Sequence, residues 1–180
     1  MRKVVVFSGH REVGDGHTAL IQQATVRAVE DADEFVFGGA AGADLIAFKA
    51  AWQARMAARQ ACQLSEDQYT AIIQKRGSFP SRLANLRIVC VVAATFDDQP
   101  REARSVLEWH RIDPPDIEFV ELGMPYAAQG LLHRNRVMID RISGNEGYLL
   151  AYWRDGVYRS GTWSAISYAQ KNGVQVVNIL

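Results

Sequence analysis

The strongest constraint on this chain is its regular alternation of short apolar runs with longer helical patterns, sustained from end to end. Lys3–Ser8 is apolar nearly throughout, carries three valines in a row and stops at Gly9. A strand covered on both faces reads this way, because neither face needs polar residues. His17–Glu30 then places Leu20, Ala24 and Ala28 roughly on one helical face. Further strands are expected at Glu34–Phe37, Arg87–Ala93, Ile117–Leu122, Gly147–Trp153 and Val174–Ile179. Helices are expected at Ala43–Arg59, Arg101–His110, Ala127–Ile142 and Thr162–Asn172, the last closed by Gly173 in a left-handed cap. Between residues 60 and 86 the pattern is mixed. Ser65-Glu66-Asp67 reads as a helix start that Gln68–Lys75 continues and Gly77-Ser78-Phe79-Pro80 breaks. Pro114-Pro115 imposes an extended connection.

Alternation of this kind predicts an α/β fold, a Rossmann-like three-layer α/β/α arrangement around a mostly parallel sheet of about six strands. There is no internal repeat or linker, and 180 residues suit one core, so a single domain over 1–180 is expected.

Charge narrows the function. Twenty Lys and Arg balance twenty Asp and Glu. That argues against a broad basic surface for duplex DNA, although a few arginines around one phosphate remain compatible. Cys62 and Cys90 lack CxxC spacing and read as free thiols in a reducing compartment. Arg2-Lys3 leads directly into a strand, with no secretory leader and no apolar run of membrane-spanning length. A cytoplasmic protein without a membrane partner is the expectation. His10, His17, His110 and His133 sit on separate elements without zinc-ligand spacing, so no metal site is expected beyond Mg²⁺ arriving with a phosphate ligand.

The chemistry-capable residues fall in three loops, each directly after a strand. A parallel sheet sends all three to the edge where open α/β folds bind ligands. The first is Ser8-Gly9-His10-Arg11-Glu12, where Arg11 is a candidate phosphate clamp and His10 a candidate partner for base or sugar. Its alternative reading is a solvated surface loop. The second is Gly38-Gly39-Ala40-Ala41-Gly42-Ala43-Asp44. Its glycines allow close backbone approach to a phosphate, and the following helix adds its positive dipole end. It is neither GxGxxG nor a P-loop, and Asp44 suits either a helix cap or a ribose hydroxyl. The third loop ends in Ser160-Gly161-Thr162 at another helix start. Trp163 follows it and is a candidate wall for a nucleobase. Within the helix over 127–142, Arg134 and Met138 share a face. Arg134 therefore either faces the site or belongs to a solvated cationic stripe, while Met138 is core.

These motifs, Ser8-Gly9-His10-Arg11, Gly38 to Asp44, Arg134-Asn135-Arg136-Val137-Met138-Ile139-Asp140 and Ser160-Gly161-Thr162, stand in an order that resembles the SLOG superfamily, and within it the YpsA-related branch. The resemblance implies a Rossmann-like fold binding a nucleotide or nucleotide-derived ligand. It implies ligand contacts from Ser8, Gly9, His10, Arg11, Gly38, Gly39, Ala40, Gly42, Asp44, Arg134, Asn135, Ser160, Gly161 and Thr162. Such proteins often self-associate, so a homo-oligomer is expected. Relatives include lonely-guy enzymes, which hydrolyse nucleoside monophosphates at the N-glycosidic bond, DNA-processing proteins that bind single strands, and sensor domains. The lonely-guy pattern carries Pro-Gly-Gly before its Gly-Thr and a Glu three residues after the Thr. Here the upstream glycines are missing and the third residue after Thr162 is Ala165. The leading expectation is therefore a binding or sensing module. The alternatives are an N-glycosidic or phosphate-ester hydrolase using Glu12 or His10, and a single-strand nucleic-acid binder.

Overall fold

The computed structural model describes residues 1–63, 80–110 and 117–180. The helix expected over 65–75, the break at 77–79 and the Pro114-Pro115 connection lie outside these residues. In chain order the elements are β1 (Lys3–Gly9), α1 (His17–Val29), β2 (Glu34–Phe37), α2 (Ala43–Ala61), α3 (Pro80–Ala84) and β3 (Arg87–Val92). They continue with α4 (Arg101–Leu107), β4 (Glu118–Glu121), α5 (Ala128–Asp140), β5 (Glu146–Tyr152), α6 (Gly161–Lys171) and β6 (Gln175–Asn178). The six strands form one sheet in the order β4-β3-β2-β1-β5-β6, and every pairing is parallel.

Strand periodicity divides the core into two apolar layers. Val5 and Phe7 of β1 point to one side and pack with Ile21 of α1 and Phe48 of α2. Val4 and Val6 point to the other and pack with Met138 and Ile139 of α5 and Ile166 of α6. Helices thus cover both faces, and the all-apolar strands are explained by burial on both sides. The chain has the expected three-layer α/β architecture.

Local differences have simple causes. The helix expected to reach His110 tightens into a 3-10 turn at Glu108–His110. In α1 the buried residues are Ile21, Thr25, Ala28 and Val29, while Leu20 is 45% exposed. Successive steps of four overshoot a helical turn, so the stripe 20, 24, 28 slides off the core-facing line. The stripe 21, 25, 28 alternates four and three and stays on it.

Strand order reverses at β1: β2, β3 and β4 extend to one side, β5 and β6 to the other. The loops leaving β1 and β5 therefore diverge from neighbouring strands and open a crevice at their carboxyl ends. Gly9 is in register with Tyr152, and His10 N–H donates to the Tyr152 carbonyl at 3.3 Å. The first loop then crosses the second, where Ala43 N–H donates to the His10 carbonyl at 3.2 Å. Gly42 makes this crossing possible: it sits at φ 83, and a Cβ there would overlap the Arg11 carbonyl oxygen. Gly42→Ala is expected to destabilise the protein by about 2 kcal/mol or more, through backbone strain plus overlap. A urea unfolding midpoint equal to that of the parent would refute this account of the crossing.

Candidate functional site

The crevice holds a cavity of about 270 Å³. Four stretches distant in sequence form its walls: Ser8, Gly9, His10 and Arg11; Ala40 and Asp44; Leu131, Arg134 and Asn135; and Ser160, Gly161 and Thr162. Of the residues singled out from sequence, Gly38, Gly39 and Gly42 do not line it. Gly38 instead lies against the Arg134 guanidinium, and Gly39 lies over the Cys90 thiol.

Asp44 organises the floor. It is 3% exposed, yet its carboxylate accepts from Gly9 N–H at 3.2 Å and Ala40 N–H at 3.3 Å. Such bonds favour the charged form, as does the nearby Arg134 cation. Desolvation outweighs them and pushes the carboxyl up to about 6. Each carboxylate oxygen of Asp44 thus accepts from the protein's own backbone. The same desolvation holds the neighbouring Cys90 thiol well above its ordinary range, so Cys90 is a protonated core residue. Cys62 is a free thiol at the exposed end of α2.

Arg134 is 9% exposed, which excludes the solvated-stripe reading. Its Nη1 donates to the Gly38 carbonyl at 2.9 Å, and its Nε and Nη2 donate to the Asn135 side-chain oxygen at 3.1 and 2.8 Å. Asn135 in turn donates to the Gly161 carbonyl at 2.8 Å. At the start of α6 the Ser160 hydroxyl accepts from Trp163 N–H at 3.1 Å, an ordinary N-cap. The first intrahelical bond runs from Ser164 N–H to the Ser160 carbonyl. The N–H groups of Gly161 and Thr162, both at the cavity, precede it and lie outside the helix ladder.

Arg11 differs from Arg134. It is exposed on the rim and forms no side-chain hydrogen bond or ion pair with any described residue. The His10 imidazole is held toward its neutral form, first by burial and then by Arg154, with Glu12 opposing. The Glu12 side chain is 93% exposed and outside this cavity. Trp163 also stands outside it, stacked on Trp153 with ring centres 5.1 Å apart. Sequence reasoning missed Leu131 in the wall and Tyr152 behind the first loop. The buried Tyr152 hydroxyl accepts from Gly14 N–H at 3.1 Å and pairs with His17 Nδ1 at 2.9 Å, fixing the loop's far end. No local sequence pattern signals it, because its role comes from standing beside Gly9 across the sheet.

No family model and no curated protein matches the sequence. Among solved structures, the chain is similar in fold to DNA processing protein A from Helicobacter pylori, described for its single-stranded DNA binding mode. The TM-score is 0.63 at 15% identity, over 98% of this chain and 65% of that one. DNA processing protein A from Streptococcus pneumoniae gives a TM-score of 0.49 at 12% identity, over 98% of this chain and 58% of that one. The chain thus spans less than two thirds of the length of either. None of the helices among the described residues is long and apolar enough to cross a membrane.

Two outcomes follow from this geometry. Arg134→Ala leaves the Gly38 carbonyl and the Asn135 amide oxygen without their donor, at a cost of about 1–3 kcal/mol in unfolding free energy. An unchanged unfolding curve would show that the clamp contributes nothing. Asp44 holds its proton more tightly folded than unfolded, so its contribution to stability is highest below the ordinary carboxylate range. That contribution is lost as pH rises toward about 6. The stability of the parent relative to Asp44→Asn should therefore fall by about 2 kcal/mol between about pH 4 and pH 7. A pH-independent difference in denaturant titrations would contradict the raised value.

Proposed function

We propose that this protein binds a phosphate-bearing nucleotide unit in the cavity at the β1–β5 switch point, and that the unit belongs to a single-stranded nucleic acid. The observation that carries the reading is convergence: four separate motifs meet around one cavity at the edge where α/β sheets take ligands. Arg11 supplies the uncommitted cation at the rim. Gly161 and Thr162 supply N–H groups at the positive end of α6, with the Thr162 hydroxyl beside them. Arg134 and Asp44 hold the walls in place. The likeness in fold to the Helicobacter protein, together with the four ordered motifs, supports placing the chain in the SLOG superfamily; the YpsA-related branch rests on the motifs alone. The same likeness favours a strand over a free nucleotide.

One observation favours a second reading, a free nucleotide-derived ligand. Net charge is zero, and the loops around the cavity interleave Arg11, Arg154 and Arg159 with Glu12, Asp15 and Asp155. Few phosphates can be neutralised there at once. A strand held through one or two phosphates loses affinity with salt at a log–log slope of about −0.7 to −1.4.

Fluorescence anisotropy of a labelled twelve-residue oligothymidylate should show binding with that shallow slope. Arg11→Ala should weaken it about tenfold or more, on the scale of a charge-assisted hydrogen bond. Binding of thymidine 5′-monophosphate with no binding of the oligomer would move the conclusion to the free ligand. Oligomer binding that ignores Arg11→Ala would remove this cavity from the site.

A further inference from the structure

A second cavity, of about 310 Å³, adjoins the first and shares two of its walls, His10 and Arg11. Its other walls are Glu12, Arg154 and Val157. Arg154 donates to the Glu12 carbonyl at 3.3 Å and stands 3.9 Å from its carboxylate. The Glu12 side chain is 93% exposed, so this ion pair is loose and its Coulomb attraction is largely screened. Arg154 therefore keeps donors for a ligand, across the second cavity from the uncommitted Arg11.

The loop that carries Arg154 is braced. Trp153 Nε1 donates to the Val157 carbonyl at 3.0 Å. The Trp153 ring stacks on Trp163, against which Tyr158 packs edge-on with centres 5.0 Å apart. A guanidinium on such a loop needs little ordering on binding, and that lowers the entropic cost of using it.

Between the two cavities stands His10. Its Nε2 is buried and has no hydrogen-bond partner among the described residues. A buried nitrogen left unpaired is costly, and a ligand that completes it recovers that cost. Burial and the Arg154 charge hold the ring neutral, so it suits an uncharged ligand atom better than an anion.

We infer that the second cavity is a second phosphate subsite, so that the ligand places two phosphates on either side of one sugar, with His10 Nε2 on the sugar between them. This rests on the reading of the first cavity as a nucleotide-phosphate site. In a single strand every internal sugar is flanked by two phosphates. They also occur in a free nucleoside 3′,5′-bisphosphate.

Titration calorimetry at fixed ionic strength separates the outcomes, with thymidine 5′-monophosphate, thymidine 3′,5′-bisphosphate and the twelve-residue oligothymidylate as probes. The parent should bind the bisphosphate about tenfold more tightly than the monophosphate, the scale of one added charge-assisted contact. Arg154→Ala should erase that preference and leave monophosphate affinity within about twofold, at an unchanged melting temperature. His10→Phe keeps a ring but removes the nitrogen. It should weaken both nucleotides and spare inorganic phosphate. Loss of bisphosphate and oligomer affinity together in Arg154→Ala assigns the subsite to a strand; loss for the bisphosphate alone assigns it to the free nucleotide. Equal affinity of the parent for mono- and bisphosphate, with the oligomer still bound, overturns the second subsite and leaves the first cavity's role standing. No binding of any probe overturns both.

Discussion

The site depends on one continuous set of hydrogen bonds between chain segments that are otherwise far apart. Asp44 takes backbone N–H groups from the first and second loops. Arg134 takes the Gly38 carbonyl, and Asn135 takes the Gly161 carbonyl. The four motifs are thereby one structural unit before any ligand arrives. Desolvation makes Asp44 expensive to keep charged, and Arg134 offsets part of that cost without touching it closely enough for a direct ion pair. Removing either member disturbs the other.

This arrangement divides labour between two arginines that look alike in sequence. Arg134 is buried and spends its fork on the protein, where planar geometry serves it as a clamp. Arg11 is exposed and uncommitted. A similar division applies to the glycines. Gly9 and Gly161 line the cavity, while Gly38 and Gly42 let an arginine and a neighbouring loop pack closely behind it. The second loop thus contributes mainly shape: at least one of its N–H groups, that of Ala40, points to Asp44 and away from a ligand.

Most of the fold was legible because strands buried on both faces leave a continuous apolar signature. Val4 and Val6 serve one layer while Val5 and Phe7 serve the other, so no position of the run tolerates a polar residue. The convergence of loops at one edge followed from parallel strand direction alone. What was not legible depended on register and side-chain reach. Tyr152 matters because it stands beside Gly9 across the sheet, a pairing that no local pattern encodes. Arg134 could not be assigned to wall or solvent by spacing, since one helical face admits both. Leu20 was misplaced because a three-residue sample of α1 cannot fix the phase of a helix to within one residue.

The same physics bears on whether the site holds its ligand or cuts it. In the lonely-guy pattern a carboxylate follows the Gly-Thr turn by three residues. Here that position is Ala165, which is 2% exposed and packed in the layer formed by α5, α6 and one face of the sheet. A carboxylate there would be buried among Met138, Ile166 and the β1 valines, where an unpaired charge is strongly disfavoured. Within the first cavity the remaining carboxylate is that of Asp44, and its oxygens are occupied by backbone N–H groups. General acid–base catalysis needs a group free to exchange a proton with the ligand. His10 Nε2 is buried without a partner among the described residues, and the carboxylate that raises the basicity of its ring, that of Glu12, lies outside this cavity. Under the proposed function, the groups that line this cavity are placed to grip phosphate and sugar.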